Sequence, residues 1–401
     1  MRDFSFEVKK TDKHSKARSG IIHTSHGEIK TPAFVAVGTQ ASVKALSNED
    51  LKGAGSQVFF VNTYHLYLRP GVEVVEKAGG LHQFIGWDGP LMTDSAGFQV
   101  FSLAQGKRKT ARIEGLEKDL PLVRISDDGV AFRSHIDGSK HIFTPELSIE
   151  SQVKLGADIM IAFDECTFYP ATLEYSRQAM ERTHRWAVRS LKAAENRRLG
   201  QALYGSVQGG VYEDLRKTSA KFLSKLSFDG LAVGGVSVGE TKNEMKSVLE
   251  WVLPCFPFSL PRHLLGVGEI DDIFTLVEHG IDSFDCVMPT RLGRMGTVLI
   301  KPENRGKGKI TKKWNQKDFL LDLTKKDLIF DFKPIEKTCE CFVCKNYSRA
   351  YLNHLFRTRE LLAYRLATYH NLFFVEKLTE AIRHSIEDGS FCKLKKEWLG
   401  C

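Results

Sequence analysis

The stretch Ile281-Asp282-Ser283-Phe284-Asp285-Cys286-Val287 is a short apolar run interrupted by acids, which is typical of a buried strand. Met288-Pro289-Thr290 follows, and because proline cannot donate to a sheet ladder, the strand is expected to end there. Asp285 then lies near the carboxyl end of a strand, just before a predicted loop with Arg291 and Arg294. A carboxylate in such a place is costly to bury unless it is paired or used. Taken alone, the run is equally compatible with an Asp285 that Arg291 holds for structural reasons.

Seven further apolar runs of this kind precede it, and helical patterns such as residues 174–196 and 213–226 fill the gaps between them. Nearly continuous apolar strands indicate a sheet buried on both faces, hence parallel strands joined by helical crossovers. Eight such units predict an α/β protein with a (β/α)8 TIM barrel. The seven runs are residues 31–38, 57–63, 90–95, 157–165, 202–209, 228–235 and 263–269.

Polar residues or glycines follow or close most of these predicted strands. In a barrel of this type the carboxyl ends of the strands face one common opening, so these residues are expected to meet there. Such a convergence favours a functional site over a rim of satisfied polar groups. The residues are Asp94, Asp164, Gln208, Gly235, Glu269 and Asp285.

Three of the eight cysteines cluster as Cys339-Glu340-Cys341-Phe342-Val343-Cys344, and the others are scattered, which argues for a metal site rather than a disulfide framework. A fourth ligand has to come from elsewhere, and His370 and His354 are both candidates. Thiolates with an imidazole in tetrahedral geometry select zinc, and a site filled by four protein ligands is structural. The alternative is a group of free thiols.

The remaining composition constrains the class of protein. There are 57 Lys and Arg residues against 49 Asp and Glu, a net charge of +8 that is compatible with a polyanionic partner. The polar start and the lack of an apolar stretch of about 18 residues predict a cytoplasmic protein. A basic stretch at residues 301–317 is expected to be a solvated loop; its members are Lys301, Arg305, Lys307, Lys309, Lys312, Lys313 and Lys317.

These patterns predict three regions along the chain. Residues 1–30 form an N-terminal hairpin region packed on the barrel, and residues 31–300 form the catalytic barrel. An insertion at about residues 104–145 contains a hairpin that turns at Asp128-Gly129. Residues 301–401 hold the basic loop, the zinc-binding subdomain and C-terminal helices.

The sequence resembles the tRNA-guanine transglycosylases (queuine tRNA-ribosyltransferases), of bacterial type, over roughly residues 15–390. The resemblance rests on specific motifs rather than on composition. They are Asn62-Thr63-Tyr64-His65-Leu66, Thr93-Asp94-Ser95-Ala96-Gly97-Phe98-Gln99, Ser134-His135-Ile136-Asp137-Gly138-Ser139, Phe163-Asp164-Glu165-Cys166, Val207-Gln208-Gly209-Gly210, Phe284 through Arg291, and the ending from Cys339-Glu340-Cys341 to Thr368-Tyr369-His370-Asn371.

The resemblance implies a transferase of queuosine biosynthesis, which exchanges guanine at the wobble position of tRNAs with a G-U-N anticodon (the Asp, Asn, His and Tyr types) for a 7-deazaguanine. It implies a homodimer and one structural Zn2+ per subunit. Carried over position by position, it implies Asp285 as nucleophile and Asp94 as general acid/base. The other implied roles are purine and substrate binding by Phe98, Asp164, Gln208, Gly235, Val236 and Leu265, tRNA binding by Arg291 and Arg294, and zinc binding by Cys339, Cys341, Cys344 and His370.

The chemistry agrees with these implied roles. Base exchange at C1′ with retained configuration needs two displacements, so one carboxylate forms an ester-like ribosyl intermediate while a second acid moves protons. Guanine presents N1–H and N2–H2 donors that a carboxylate such as Asp164 accepts, and the Gln208 amide can address O6 or N7. Phe98 offers a flat surface for a base taken out of its stack.

The sequence departs from the family pattern at several positions. Ala96 stands where glycine is usual, Phe98 where bacterial members usually have Tyr, and Leu265 where Met is common. The segment 301–331 is longer than usual, and its lysines are expected to extend the tRNA footprint.

The identity of the incoming base is a separate question. Cys166 and Val238 are similar to bacterial members that take preQ1, whereas eukaryotic members share Ser237 but carry glycine at the Val238 position. Because the branched Val238 narrows the pocket, preQ1 is expected and queuine is the alternative. A non-catalytic tRNA-binding subunit would lack one of the two acids, and a metal-dependent barrel hydrolase or nucleoside hydrolase would need metal ligands at the strand ends.

Overall fold

The computed structural model describes residues 4–99, 123–305 and 316–400. Its central feature is a closed barrel of eight strands. The barrel strands are β4 (Ala33–Gly38), β5 (Phe59–Val61), β6 (Leu91–Thr93), β10 (Ile159–Ile161), β11 (Ala202–Val207), β12 (Gly230–Val233), β13 (Arg262–Leu264) and β14 (Ser283–Cys286). Around the barrel their order is β10-β11-β12-β13-β14-β4-β5-β6, and neighbouring strands such as β10 and β11, or β14 and β4, pair in parallel.

Each of the eight predicted apolar runs contains or overlaps one barrel strand, so the prediction of a TIM barrel is confirmed. The residues of β10 and β11 are all buried, as expected for strands covered on both faces.

Helices occupy the gaps between the strands. Residues 174–196 are helical as predicted, since Leu173–Ala193 is an α-helix that continues as the short 3-10 turn Ala194–Asn196. Thr172 begins this helix by accepting a hydrogen bond from the Tyr175 backbone N–H, as N-cap residues do. Among the described residues, the α-helices with both ends defined are Asn48–Ala54, Thr63–Leu68, Val72–Lys77, Leu81–Ile85, Pro145–Leu155, Leu173–Ala193, Glu213–Leu223, Lys242–Val252, Ile270–Glu278, Met288–Arg294, Phe342–Asn346, Arg349–Arg357, Leu361–Asp388 and Phe391–Leu399.

One local prediction was wrong. Arg291 and Arg294 do not lie on a loop after β14, because Met288–Arg294 is a helix that starts directly after the strand. Pro289 ends the strand as expected, but its fixed φ also suits the first turn of a helix, where the missing N–H costs nothing.

In the part of the chain that the structure describes, eight further strands lie outside the barrel. β1 (Ser5–Thr11), β2 (Arg18–Thr24) and β3 (Gly27–Thr31) form one sheet, and β7 (Val123–Ile125), β8 (Val130–Arg133) and β9 (Lys140–Phe143) form another. β15 (Thr297–Leu299) and β16 (Leu320–Asp322) form a two-stranded antiparallel sheet.

The hairpin predicted at Asp128-Gly129 is confirmed, since β7 and β8 pair antiparallel with Ile125 opposite Val130. Residues 104–122 of the predicted insertion lie outside the described residues, and so do Lys307, Lys309, Lys312 and Lys313 of the basic stretch. The boundaries predicted for the three regions stay predictions.

The chain divides into two compact units. The first contains Phe60–Arg262 with short N-terminal stretches, and the second contains Phe6–Ile22, Glu28–Phe59 and His263–Cys401. Within the first unit, Tyr64, Phe163 and Trp186 are fully buried in one apolar cluster. Within the second, the rings of Phe34 and Phe284 meet edge to face with their centroids 6.0 Å apart.

The predicted C-terminal helices are confirmed by Arg349–Arg357 and Leu361–Asp388. Among the helices of residues 4–99, 123–305 and 316–400, none combines the length and the apolar character that crossing a bilayer requires.

Candidate active site and metal centre

The Asp94 carboxylate follows β6 and accepts hydrogen bonds at both of its oxygens. The Asn62 side chain donates to Oδ2 over 2.5 Å, and the Thr63 backbone N–H donates to Oδ1 over 2.7 Å. The Ala96 backbone N–H also donates to Oδ1, over 3.2 Å. Asn62 and Thr63 come from the end of β5, where the helix Thr63–Leu68 begins, so two adjacent strand ends hold this group.

Burial raises the pKa of Asp94 to about 6, although the hydrogen bonds from Asn62, Thr63 and Ala96 act in the opposite direction. Desolvation therefore dominates over hydrogen bonding at this carboxyl. A carboxyl group with a pKa near neutrality is able both to donate and to accept a proton, which is the property that a general acid/base needs.

Ala96 adopts φ of 69°, in the left-handed region that glycine enters more readily. Its methyl group is fully buried in the cluster that contains Tyr64 and Phe163. The departure from the family's usual glycine is thus accommodated by apolar packing, and the backbone N–H that reaches Asp94 is kept.

Asp164 follows β10 and is buried in a network of hydroxyl and amide donors. Ser95 donates to its Oδ1 over 2.9 Å, and Ser206 and Gln208 donate to its Oδ2, each over 2.7 Å. Burial raises the pKa of Asp164 against the effect of these donors. Ser95 links the network to Asp94, the preceding residue.

Gln208 is buried, and its Oε1 has no hydrogen-bond partner among the described residues. Gly234 and Gly235 lie close to it. A Cβ placed on Gly234 would lie 2.4 Å from Gln208 Nε2, and one on Gly235 would lie 2.6 Å from Oε1. Gly235 also adopts φ of 62°. The close approach of backbone to amide requires glycine at both positions.

Arg216 is a fully buried cation whose side chain bonds the backbone of the loop that contains Gly234 and Gly235. Its guanidinium donates to the carbonyls of Gly234 and Gly235, each over 2.7 Å, and to those of Val207 and Gly210. Burial lowers its pKa to about 10, so it stays charged at neutral pH. With these carbonyls occupied by Arg216, the loop backbone is fixed beside Gln208.

Asp285 lies within β14 and keeps 15% of its side chain exposed. Its Oδ1 accepts a hydrogen bond from the Gly266 backbone N–H over 3.0 Å and lies 3.2 Å from His263 Nε2. His263 is fully buried at β13, and its Nδ1 lies 2.8 Å from the Ser283 hydroxyl. The structural alternative raised by the sequence, a contact between Asp285 and Arg291, is not among the hydrogen bonds and ion pairs found in the described residues.

The other predicted site residues differ in exposure. Phe98 is 47% exposed, while Val236 is buried. Leu265 is half-buried beside Gly266. On the helix Met288–Arg294, Arg291 is exposed and Arg294 is half-buried, with Arg294 Nη1 donating to the Thr290 carbonyl.

The four predicted metal ligands converge in the second unit. His370 Nδ1 lies 3.5 Å from Cys341 Sγ, 3.4 Å from Cys344 Sγ and 4.0 Å from Cys339 Sγ. A tetrahedral ion with zinc's usual bond lengths separates sulfur from nitrogen by roughly 3.6 Å, so the donor set fits zinc. The cluster can therefore bind a metal ion.

The imidazole of this cluster is already oriented by the protein. His370 Nε2 lies 2.8 Å from the Leu299 carbonyl, to which its N–H donates, and this leaves Nδ1 for the metal. The other candidate from the sequence, His354, lies on the helix Arg349–Arg357 and is outside the cluster.

Comparison with known proteins agrees with this arrangement. The profile of the family described as Queuine tRNA-ribosyltransferase matches residues 12–400. A protein of that name from Roseiflexus sp. (strain RS-1) is 45% identical over 99% of this chain and 99% of its own length. Another of that name, from Caldanaerobacter subterraneus subsp. tengcongensis, is 47% identical over 100% of this chain and 98% of its own length. The chain belongs to the queuine tRNA-ribosyltransferase family. The predicted family and the predicted enzyme class, a tRNA-guanine transglycosylase, are thereby confirmed.

Membership in the queuine tRNA-ribosyltransferase family makes this chain a transferase that modifies guanine in tRNA during queuosine biosynthesis, with tRNA and a 7-deazaguanine base as the partners on which the family acts. The structure adds residues for which sequence reasoning gave no role. These are Asn62, Thr63, Ser95, Ser206, Arg216 and His263.

Some of these residues carried a signal in the sequence. Asn62 and Thr63 stood in a motif at the carboxyl end of a predicted strand, the position at which barrel enzymes place functional groups. Arg216 had no such signal, because a basic residue on a predicted amphipathic helix is ordinarily solvated.

Proposed function

We propose that this enzyme exchanges guanine at the wobble position of tRNAs with a G-U-N anticodon for preQ1, through a covalent intermediate between Asp285 and the ribose. The observation that carries the proposal is the raised pKa of Asp94, about 6, which suits a group that must both release and take up a proton. Asp285, with an exposed edge and a backbone donor, suits the nucleophile.

The reaction consists of two displacements. A carboxylate oxygen of Asp285 attacks C1′ of the ribose, the C1′–N9 bond breaks, and the electron pair leaves with guanine, which takes a proton from Asp94. The incoming base then gives a proton to the Asp94 carboxylate and attacks C1′ with its N9. The ester bond breaks, and its electron pair restores the Asp285 carboxylate.

The network around Asp164 supports recognition of a purine-like edge. Its carboxylate is an acceptor for adjacent N–H donors, and Gln208 offers a buried amide with an unsatisfied oxygen. Gly235 contributes backbone groups at close range, and Val236 adds apolar wall beside it. The exposed ring of Phe98 provides a surface on which the extruded base stacks. The half-buried Leu265 is a further base contact of this proposal.

The preference for preQ1 rests on the loop after Gly235. Val238 is half-buried, and its backbone N–H donates to the Glu240 carboxylate over 2.9 Å, so its position is fixed. A branched side chain at a fixed position narrows the space available for the cyclopentenediol of queuine. Cys166 lies two residues after Asp164 and is half-buried.

Two further assignments complete the proposal. Arg291 and Arg294, on one short helix, contact tRNA near the reacting nucleotide, since guanidinium groups are suited to phosphate. Zn2+ is held by Cys339, Cys341, Cys344 and His370. Because these four ligands fill a tetrahedral shell, the ion stabilises the surrounding fold. The proposal also includes a homodimer that acts in the cytoplasm.

The proposal is tested by exchange of radiolabelled guanine into tRNA together with detection of a denaturant-resistant enzyme–RNA adduct. The wild-type chain is expected to give both, and Asp285→Ala is expected to give neither. Retention of the adduct in this variant would refute the nucleophile assignment.

The choice of base is tested separately. Incubation of the wild-type chain with preQ1 or queuine and guanine-containing tRNA is expected to give exchange with preQ1 alone, and Val238→Gly is expected to admit queuine. Exchange of queuine alone by the wild-type chain would contradict the preference.

A further inference from the structure

The two oxygens of the Asp285 carboxylate are in different environments. Oδ1 is bonded by the Gly266 backbone N–H and by His263 Nε2. Oδ2 has no hydrogen-bond partner among the described residues. A carboxylate oxygen that carries two donors is a weaker nucleophile than its partner, because the donors stabilise its charge.

His263 lies in the barrel strand β13 with its two ring nitrogens near this carboxylate oxygen and Ser283. The imidazole is fully buried, and Ser283 is buried as well. An ionised carboxylate accepts hydrogen bonds and cannot donate them, so Nε2 must carry the proton in the bond to Asp285. In the neutral imidazole, Nδ1 then accepts from the Ser283 hydroxyl over 2.8 Å. Ser283 therefore donates to His263, and His263 donates to Asp285.

We infer that Asp285 Oδ2 is the oxygen that attacks the ribose, and that His263 is a positioning residue that holds Oδ1 and assists the release of Asp285 from the ribosyl ester. The inference rests on the proposed function, since it names the atom that carries out the proposed first displacement and a group that assists the second.

The role in the second step follows from where charge appears. In the ester, Oδ2 is bonded to C1′ and Oδ1 is the carbonyl oxygen, so the carboxylate charge is lost. When the incoming base attacks C1′, the C1′–Oδ2 bond breaks and its electron pair returns to the carboxylate. The developing charge is shared with Oδ1, where the Gly266 N–H and the His263 Nε2–H already lie. Donors arranged before the reaction are worth most where charge develops.

The two donors to Oδ1 have the opposite effect on the first step, the attack of Asp285 on C1′. Because the same two donors stabilise the negative charge of the carboxylate, removing one of them makes Asp285 a better nucleophile and a poorer leaving group. Loss of the His263 donor is therefore expected to leave formation of the adduct intact and to slow its resolution. A purely structural role of His263 would impair both steps.

The test measures the two half-reactions separately with the full-length enzyme. Formation of the adduct is followed on mixing enzyme with tRNA, and resolution is followed after addition of excess guanine. His263→Phe keeps an aromatic ring and removes the donor. Resolution is expected to slow by on the order of 100-fold, as for loss of one donor to a developing oxyanion. The KM for guanine is expected to stay unchanged while kcat falls.

Two further variants guard against misfolding and test the donor itself. His263→Gln restores an N–H donor and is expected to recover most of the resolution rate. Ser283→Ala keeps the imidazole but removes the bond that fixes its tautomer, and it is expected to slow resolution by about threefold, in line with one hydrogen bond of modest net strength. His279→Gln serves as a matched control, since His279 is also buried but its Nδ1 bonds the Thr275 carbonyl instead.

The outcomes separate this inference from the proposed function. Resolution at the wild-type rate in both His263→Phe and Ser283→Ala, or equal impairment of both half-reactions in folded His263→Phe, would overturn the role of His263. Failure of the wild-type chain to form any adduct would instead overturn the covalent mechanism, and the inference would fall with it.

Discussion

The carboxylates of Asp94 and Asp285 both belong to the carboxyl-terminal part of a barrel strand, yet their surroundings differ. Asp94 accepts at both oxygens, from Asn62, Thr63 and Ala96, and burial raises its pKa to about 6. Asp285 accepts at Oδ1 alone, from Gly266 and His263, and part of its side chain is exposed.

The difference accounts for the different roles that we propose for two identical side chains. A group that exchanges protons near neutral pH needs an elevated pKa and a fixed orientation, which desolvation and several donors provide together. A group that attacks carbon needs one oxygen without a hydrogen bond. In this proposal the surroundings, and not the residue type, separate the two functions.

The largest expected effect comes from exchanging each acid for its amide. Asp285→Asn should lose exchange and adduct completely, because an amide oxygen does not replace the carboxylate nucleophile. Asp94→Asn should keep the nucleophile but lose the proton donor, so adduct formation should fall by about 10²- to 10⁴-fold. Single-turnover adduct formation with each variant measures both effects. Formation of the adduct by Asp94→Asn at the wild-type rate would contradict the proposed role of Asp94 as proton donor.

A smaller effect is expected on stability. The folded-state pKa of Asp94 lies above its ordinary value of 3.8, so the stability that protonated Asp94 contributes is lost progressively as pH rises from 3.8 through about 6. Asp94→Asn removes this dependence. Since one pKa unit corresponds to about 1.4 kcal/mol, its stability relative to wild type should increase by up to roughly 3 kcal/mol between pH 4 and pH 8. Chemical denaturation at both pH values measures this change.

The substitution by an amide also changes the free energy of unfolding by an amount that does not depend on pH. This amount cancels when the two pH values are compared. A relative stability that is the same at both pH values would show that the Asp94 carboxyl is not perturbed in the folded chain.

The hydrogen bond from Asn62 to Asp94 should affect the pH dependence of adduct formation. This bond lowers the pKa of Asp94, so Asn62→Ala should raise it above about 6. Adduct formation requires protonated Asp94 and should decline with rising pH, and in the variant this decline should move to higher pH by about one unit, given the strength of a hydrogen bond to a charged group. The decline should be absent in Asp94→Asn. A shift to lower pH in Asn62→Ala would contradict the assignment.

The smallest effect is expected at Ala96. Its contact with Asp94 is made by the backbone N–H, so Ala96→Gly keeps the donor and relieves the left-handed φ of 69°. The buried methyl group is lost in exchange, and a methyl group and the backbone strain are each worth about 1 kcal/mol. Exchange activity should stay within about twofold of wild type, and thermal unfolding should change little. A large loss of activity would show that the side chain, and not the backbone, positions Asp94.

Much of the fold could be predicted because its signals are local. The apolar runs and the interposed helical patterns are periodic features of the chain, and each of the eight runs contains or overlaps a barrel strand. The helix Met288–Arg294 was missed because Pro289 ends a strand and begins a helix equally well. For the predicted metal site, the sequence left two candidates for the fourth ligand, His370 and His354. The family resemblance selected His370, and the structure places His370 in the cluster with the three cysteines.

By itself the sequence determined the class of the fold and the family, and it supplied the two acids of the proposed mechanism, since periodicity and motif residues are properties of consecutive positions. Only the tertiary structure decided how each acid is held, because the donors come from distant parts of the chain. Asn62 reaches Asp94 from the end of β5, and His263 reaches Asp285 from β13. The desolvation that raises the pKa of Asp94 likewise arises from packing, which no single stretch of residues encodes.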